Sequence, residues 1–239
     1  MTQSETGPGF DFSRYRAAIF DLDGTLVHSE HAWEAAKIEV LGHYGLVPSR
    51  ALLDAYVGRG LAGFVDELFG PSLAPDRRRE IGDRIGAAAD LLLPEMREAV
   101  PGAPELLCRL HDAGLRIAIC SSSPRRHIEG ALEMLGIAGR IETIVSAAEL
   151  PRGKPDPLPF SATLAALNLQ PGDACVFEDS LPGARSAFAA GLPVLAVGKG
   201  CTGPEFAFCR IRAENFADLI RASRLSAALR DDFPSSGSA

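Results

Sequence analysis

Four short apolar runs punctuate this chain, and each gives way at once to a polar cluster. AAIF (17–20) leads into DLDGT, LRIAIC (115–120) into SSS, DACVF (173–177) into EDS, and LPVLAV (192–197) into GKG. Short runs of this kind, rich in Ile and Val and closed by turn residues, predict strands buried on both faces. IETIVS (141–146), ahead of Lys154, predicts one more. Helical spacings lie between the runs. PRRHIEGALEMLGI (124–137) sets Ile128, Leu132 and Leu135 four and three residues apart, and PLPFSATLAAL (157–167) and PGARSAFAAG (182–191) follow suit. Pro182 near the start of the last segment and Gly191 past its end match the two termini of a helix.

Alternation of strand and helix implies an α/β fold: a doubly wound, mostly parallel sheet with helices on both faces. Ligands of such sheets sit beyond the carboxyl ends of the strands. DLDGT, SSS and EDS all fall there, so one rule gathers three separated polar clusters into one crevice. Residues 29–100 break the alternation. They hold no buried-strand run, only helical stretches such as EHAWEAAKIEVLGHYG and PDRRREIGDRIGAAADLLLPEMREAV. The expectation is an all-helical unit, 29–100, inserted into a core built from 14–28 and 101–225, with joints near Val27–Glu30 and Pro94–Gly102. Composition rich in Gly, Ser, Pro and Asp marks 1–13 as a disordered tail and 226–239 as a C-terminal tail.

A net charge of −7 and the lack of any basic stretch argue against a nucleic-acid partner. The densest basic run, Arg77 to Arg79, lies between Asp76 and Glu80 and reads as a solvated helix face. No apolar stretch approaches the roughly 18 residues of a membrane span. MTQSETGPGFDFSRYR has no basic start leading into an apolar stretch, so a cytoplasmic protein is expected. The five cysteines form no CxxC pair and read as free thiols in a reducing compartment. A monomer or homodimer fits this composition.

Three motifs are decoys. Gly58-Arg59-Gly60-Leu61-Ala62-Gly63 spells GxGxxG but follows a helical stretch, whereas the dinucleotide fingerprint follows a strand. His28 and His31 flank Glu30 without a third metal ligand. Lys154 follows a glycine but lacks the rest of a P-loop.

Ionised carboxylates at the exit of a buried strand are unfavourable unless a positive charge compensates for them. Asp21 and Asp23 stand at such an exit, and Glu178-Asp179 ends a second expected strand. Turn capping would explain an isolated pair. Four acidic groups along one sheet edge need a counter-ion. Carboxylate oxygens and a backbone carbonyl suit Mg²⁺, which keeps waters alongside substrate phosphate. An enclosed carboxylate facing phosphate can act as a nucleophile. An aspartate two residues further on points to the same side, where it can protonate a leaving oxygen and later deprotonate water. Ser121 and nearby backbone amides offer donors, and Lys154 a point charge, for the negative charge spread over a transferring phosphoryl group.

These residues fall in an order that resembles the haloacid dehalogenase superfamily, in the branch with a helical cap inserted after the first motif. Phe20-Asp21-Leu22-Asp23-Gly24-Thr25 resembles motif I, Ile117 to Ser121 motif II, Lys154 in RGKPDP motif III, and Val176 to Ser180 motif IV. The resemblance spans residues 16 to 222. It implies a Mg²⁺-dependent phosphatase of small phosphorylated metabolites, such as a sugar phosphate, phosphosugar acid or phosphoglycolate, acting through an aspartyl-phosphate. Asp21 would be the nucleophile and Asp23 the general acid/base, with Ser121 and Lys154 holding the phosphoryl group. Asp179, the Asp21 carboxylate and the Asp23 carbonyl would ligate the metal, Glu178 assisting through a water. The insertion would close over the substrate, with Ser122, Arg59 of the GRG turn and Trp33 as candidate substrate contacts.

Sibling chemistries part from this chain at single residues. Haloacid dehalogenases and phosphonoacetaldehyde hydrolases lack the aspartate at the Asp23 position. Hexose-phosphate mutases keep it but place a histidine twelve residues after the nucleophile, where this chain has Trp33. The mutase is the alternative reading, and a binding module without turnover a more distant one.

Overall fold

The computed structural model describes residues 10–56, 61–70 and 72–224. Six strands form one parallel sheet: β1 (Ala17–Phe20), β2 (Arg116–Ser121), β3 (Ile141–Ser146), β4 (Ala174–Glu178), β5 (Val194–Val197) and β6 (Ile211–Ala213). Their spatial order is β3-β2-β1-β4-β5-β6, with every neighbouring pair parallel. The order reverses direction at β1, so the crevice of a doubly wound sheet opens at the carboxyl ends of β1 and its neighbours β2 and β4. The doubly wound α/β fold expected from the alternation is the fold that forms.

Side chains alternate across this sheet with the period of two that a pleated strand imposes. Ala18, Phe20, Ile117, Ile119, Cys175 and Phe177 enter one core, and Ala17, Ile19, Ala118, Cys120, Ala174 and Val176 the other. Helices α5 (Ala103–Asp112), α6 (Arg125–Met134) and α9 (Phe216–Ala222) cover the first face through residues such as Leu106, Leu110, Ile128, Leu132, Phe216 and Leu219. Helices α7 (Leu158–Leu167) and α8 (Leu181–Ala189) cover the second through Phe160, Leu164, Ala184 and Ala187. Burial on both faces explains why these strands read as unbroken apolar runs.

Between β1 and α5, the described residues form four further helices: α1 (Glu30–Gly42), α2 (Arg50–Ala55), α3 (Leu61–Phe69) and α4 (Pro75–Met96). They share an apolar cluster of their own, in which Ala32, Ala36 and Val40 of α1 meet Ile81, Ile85, Ala89 and Leu93 of α4 and Phe64 of α3. The four-residue spacing on both long helices gives each one apolar stripe. The chain enters and leaves this helical cap through two short segments that pair with each other, Val27–His28 lying antiparallel to Glu98–Ala99. Among the described residues, no helix is long and apolar enough to cross a membrane. Cys120, Cys175 and Cys201 are buried free thiols, and Cys108 and Cys209 are half-buried free thiols.

The structure corrects one reading at the N-terminus. Phe10 to Ser13, expected as part of a frayed tail, is ordered: Phe10–Asp11 pairs in parallel with Ser223–Arg224, and Phe12 is buried. Its ring stacks 5.9 Å from that of Phe177, so an aromatic anchor outweighs the polar composition around it.

Phe177 is fully buried and also stacks on Phe20 with ring centroids 4.3 Å apart. Phe177→Ala is therefore expected to lower stability by about 3–5 kcal/mol in urea unfolding. Leu91→Ala, at a position 77% exposed on α4, should stay within about 0.5 kcal/mol of the parent.

Candidate active site

Strand register brings the polar clusters level. Phe20 of β1 pairs with Ile119 of β2 and Phe177 of β4, so Asp21, one residue on, stands beside the ends of both neighbours. The backbone of Asp21 continues the pairing, its N–H donating to the Phe177 carbonyl at 3.0 Å. The chain then turns sharply, with the N–H groups of Leu26 and Val27 both donating to the Leu22 carbonyl. Gly24 is required in this turn. Its φ is +91°, and a Cβ there would lie 2.0 Å from Asp179 Oδ2.

Lys154, from the loop after β3, is buried between two carboxylates. Its Nζ donates to Asp21 Oδ1 and to Glu178 Oε1, each at 2.5 Å. The second oxygen of Glu178 accepts from the N–H of Ser180 at 2.9 Å and from its hydroxyl at 3.0 Å. Ser180 also caps α8 by accepting from the Gly183 N–H at 3.1 Å. Glu178 is thus held on both sides, and a Cβ at Gly183 would lie 1.6 Å from its Oε1. Asp179 faces the cleft, one oxygen accepting from the Thr25 hydroxyl at 2.9 Å.

Asp23 is held by a different set of partners. Ser123 Oγ donates to its Oδ2 at 2.6 Å and Ser121 Oγ lies 3.3 Å from the same atom, while Ser29 Oγ donates to Oδ1. Ser121 in turn accepts from the Ser123 N–H at 3.0 Å, and Ser146 Oγ donates to the Ser123 carbonyl at 2.7 Å. The loop between β2 and α6 is pinned by these serines, and Asp23 has no ion pair of its own among the described residues.

The electrostatics of this cluster favour a bound cation. Asp21, Glu178 and Asp179 each offer a carboxylate oxygen within 4.8 Å of the others. One ammonium faces these three carboxylates, so two negative charges stay uncompensated. Burial, together with the charges of Glu178 and Asp23, pushes the Asp21 carboxyl well above the usual range despite Lys154. Burial and the charges of Glu178 and Asp21 do the same to Asp179. Burial opposes the charge on Lys154, but Asp21 and Glu178 outweigh it and hold the ammonium protonated. A hard divalent cation ligated by oxygen fits this donor set and would favour the ionised form of both aspartates.

Beside Asp23 a cavity of about 100 Å³ runs under the helical cap. Ser122 and Ser123 line its core side, and Trp33, Lys37, Leu53 and Tyr56 line its cap side. Trp33 packs against the cap cluster and also lines the cavity. Arg59 lies outside the described residues. His28 and His31 are exposed.

Sequence reasoning missed several participants. Thr25 of motif I and Ser123 of the SSS run were given no role of their own, and Ser29 is a single hydroxyl with no pattern to announce it. A contact between cap and core was also hidden: Asp90 of α4 accepts from Arg126 Nε at 2.8 Å and bonds His127 Nε2, both residues in the first turn of α6. Trp33 meets the His127 ring edge to face, with centroids 5.0 Å apart.

Comparison with known proteins agrees with this geometry. A family model described as haloacid dehalogenase-like hydrolase matches residues 15–191. Validoxylamine A 7'-phosphate phosphatase of Streptomyces hygroscopicus subsp. limoneus is 35% identical over 184 residues, 74% of this chain and 83% of that protein. Hexitol phosphatase B of Escherichia coli K12 is 29% identical over 85% of this chain and 93% of its own length. Among solved structures, a β-phosphoglucomutase from Clostridium difficile superposes with a TM-score of 0.77 over 87% of this chain and 96% of that one. At 19% identity that likeness concerns the fold alone. From its family match and its phosphatase relatives, this chain belongs to the haloacid dehalogenase-like hydrolases and is a phosphoric monoester hydrolase.

Proposed function

We propose that the protein is a Mg²⁺-dependent phosphatase of small phosphorylated metabolites, working through an aspartyl-phosphate on Asp21. One observation carries the reading: Asp21 is gripped by Lys154 inside an acidic cluster, while Asp23, two residues on, is presented to the adjoining cavity by serine hydroxyls. Asp21, Asp179 and the backbone carbonyl of Asp23 are the ligands we assign to the metal, with Glu178 adding charge from behind through a water. When bound, the cation would offset the negative charge shared by these carboxylates and the phosphoryl oxygens.

The remaining work falls to side chains. A carboxylate oxygen of Asp21 attacks phosphorus, forming a P–O bond as the bond to the leaving oxygen breaks. Asp23 in its acid form gives that oxygen a proton, and the resulting carboxylate takes one from the water that attacks the phospho-aspartate. Phosphate leaves, and Asp21 and protonated Asp23 are restored. Lys154 and the Ser121 hydroxyl stabilise the charge on the transferring group. Residues 29–100 act as the cap that closes over the substrate and keeps stray water out, with Trp33 and Ser122 on the walls. Sugar phosphates, phosphosugar acids and phosphoglycolate are in keeping with the named activities of relatives, which include hexitol phosphatase and phosphoglycolate phosphatase. A small soluble substrate and a cytoplasmic setting follow from the same reading.

Asp21→Asn should reduce phosphate release by at least about 10³-fold while leaving thermal unfolding intact, and appreciable residual turnover would remove Asp21 from its role. A chelator should silence the wild type, and excess Mg²⁺ should restore it. Full activity in excess chelator would overturn the metal assignment.

Charge accounting makes a further prediction for the metal-stripped protein. A carboxyl whose folded-state pKa lies above its ordinary value of 3.8 subtracts stability at every pH above that value, and most fully once it ionises in the fold. Asp179→Asn keeps an acceptor for Thr25 and removes the charge. At pH 7 without metal the variant should melt at a higher temperature than the wild type, by about 2–4 °C for each kcal/mol relieved. Mg²⁺ should raise the wild-type Tm and leave that of the variant unmoved, as differential scanning fluorimetry would show.

A further inference from the structure

Lys37 is the one lysine in the cap segment, and it is 9% exposed. It lines the cavity that runs from Asp23 under the cap. Among the described residues no hydrogen bond or ion pair holds its Nζ, which lies 4.8 Å from the centre of the Phe64 ring. The nearest acid along its helix, Glu34, is already engaged: Arg50 Nη1 donates to both Glu34 oxygens at 2.9 Å and also pairs with Asp54. Burial lowers Lys37 to about 8, which leaves it largely protonated at neutral pH. A buried ammonium without an anion is unfavourable, and three N–H donors with no acceptor match a group made of anionic oxygens.

We infer that Lys37 is a specificity-determining residue: it receives a second anionic group, a carboxylate or second phosphate, at the end of the substrate remote from the scissile phosphoryl. The assignment rests on the phosphatase reading and sharpens it. With the phosphoryl group at Asp21 and the leaving oxygen at Asp23, the rest of the ester must lie in the cavity lined by Asp23 and Lys37. An anionic end there neutralises the ammonium. A neutral polyol end leaves the charge buried and half-satisfied, so phosphorylated acids are preferred to phosphorylated alcohols of the same length.

The test compares kcat and KM on matched esters with Mg²⁺ present, for wild type and Lys37→Met. Phosphoglycolate is paired with 2-hydroxyethyl phosphate, 6-phosphogluconate with sorbitol 6-phosphate, and fructose 1,6-bisphosphate with fructose 6-phosphate. In at least one pair the wild type should favour the anionic member by roughly 10- to 100-fold in kcat/KM. Which pair responds identifies carboxylate or phosphate as the anion. Lys37→Met should shrink that preference to about twofold, chiefly by raising KM for the anionic ester. Lys37→Gln is the second variant, and Tm checks that both are folded. A wild type indifferent within every pair, or a preference that survives both substitutions, would overturn the inference while leaving phosphatase activity in place. No phosphate release from these esters or from p-nitrophenyl phosphate would instead overturn the phosphatase reading itself.

Discussion

The ammonium of Lys154, almost wholly enclosed between the carboxylates of Asp21 and Glu178, is the contact around which this site is organised. Three carboxylates converge at the ends of β1 and β4, and without that single cation their mutual repulsion would spread the strand ends apart. Other features maintain the arrangement: the helix-capping Ser180 fixes the far oxygen of Glu178, and Gly183 leaves the room that Glu178 needs. Even so, the compensation is partial. The protein holds more negative charge than it neutralises, which is the condition in which a bound cation and an incoming phosphoryl group belong to one electrostatic design.

Asp23 shows a different strategy only two residues away. Among the described residues it is paired with no cation but suspended among hydroxyls from Ser29, Ser121 and Ser123. Hydroxyls can donate to a carboxylate or accept from a carboxylic acid. In the proposed mechanism Asp23 changes protonation state twice in a turnover, and such partners suit that better than a fixed charge. The two aspartates therefore differ through their neighbours rather than through their own chemistry.

Much of this was legible in the sequence because it depends on local patterns. Strands buried on both faces leave continuous apolar runs, and the polar residues that end them mark the functional edge, so Asp21, Asp23, Ser121, Lys154, Glu178 and Asp179 could be named before any coordinates. The edge strand β6 escaped because it is three residues long and alternates with an exposed arginine, a weak signal for so short a run. Ser29 escaped because a lone serine looks the same whether it binds water or a carboxylate, and Ser123 because a run of three serines does not tell which of them faces Asp23. Asp90 escaped for another reason. Its partners lie 36 and 37 residues away, on a helix whose approach is set by the packing of the whole cap and not by any spacing in the chain. Phe12 could have been found, since an aromatic-rich FDF stretch amid polar residues is itself a sign of anchoring.

The pairing of Val27–His28 with Glu98–Ala99 determines how the cap can move. Two independent tethers would allow the helical unit to twist and slide as well as swing. Fastened side by side, they form one two-stranded ribbon, which bends more easily than it shears. The cap is therefore confined to something close to a single swing. In the proposed closure, a wall residue such as Trp33 would return to the same place above Asp23 each time without being steered there by the substrate.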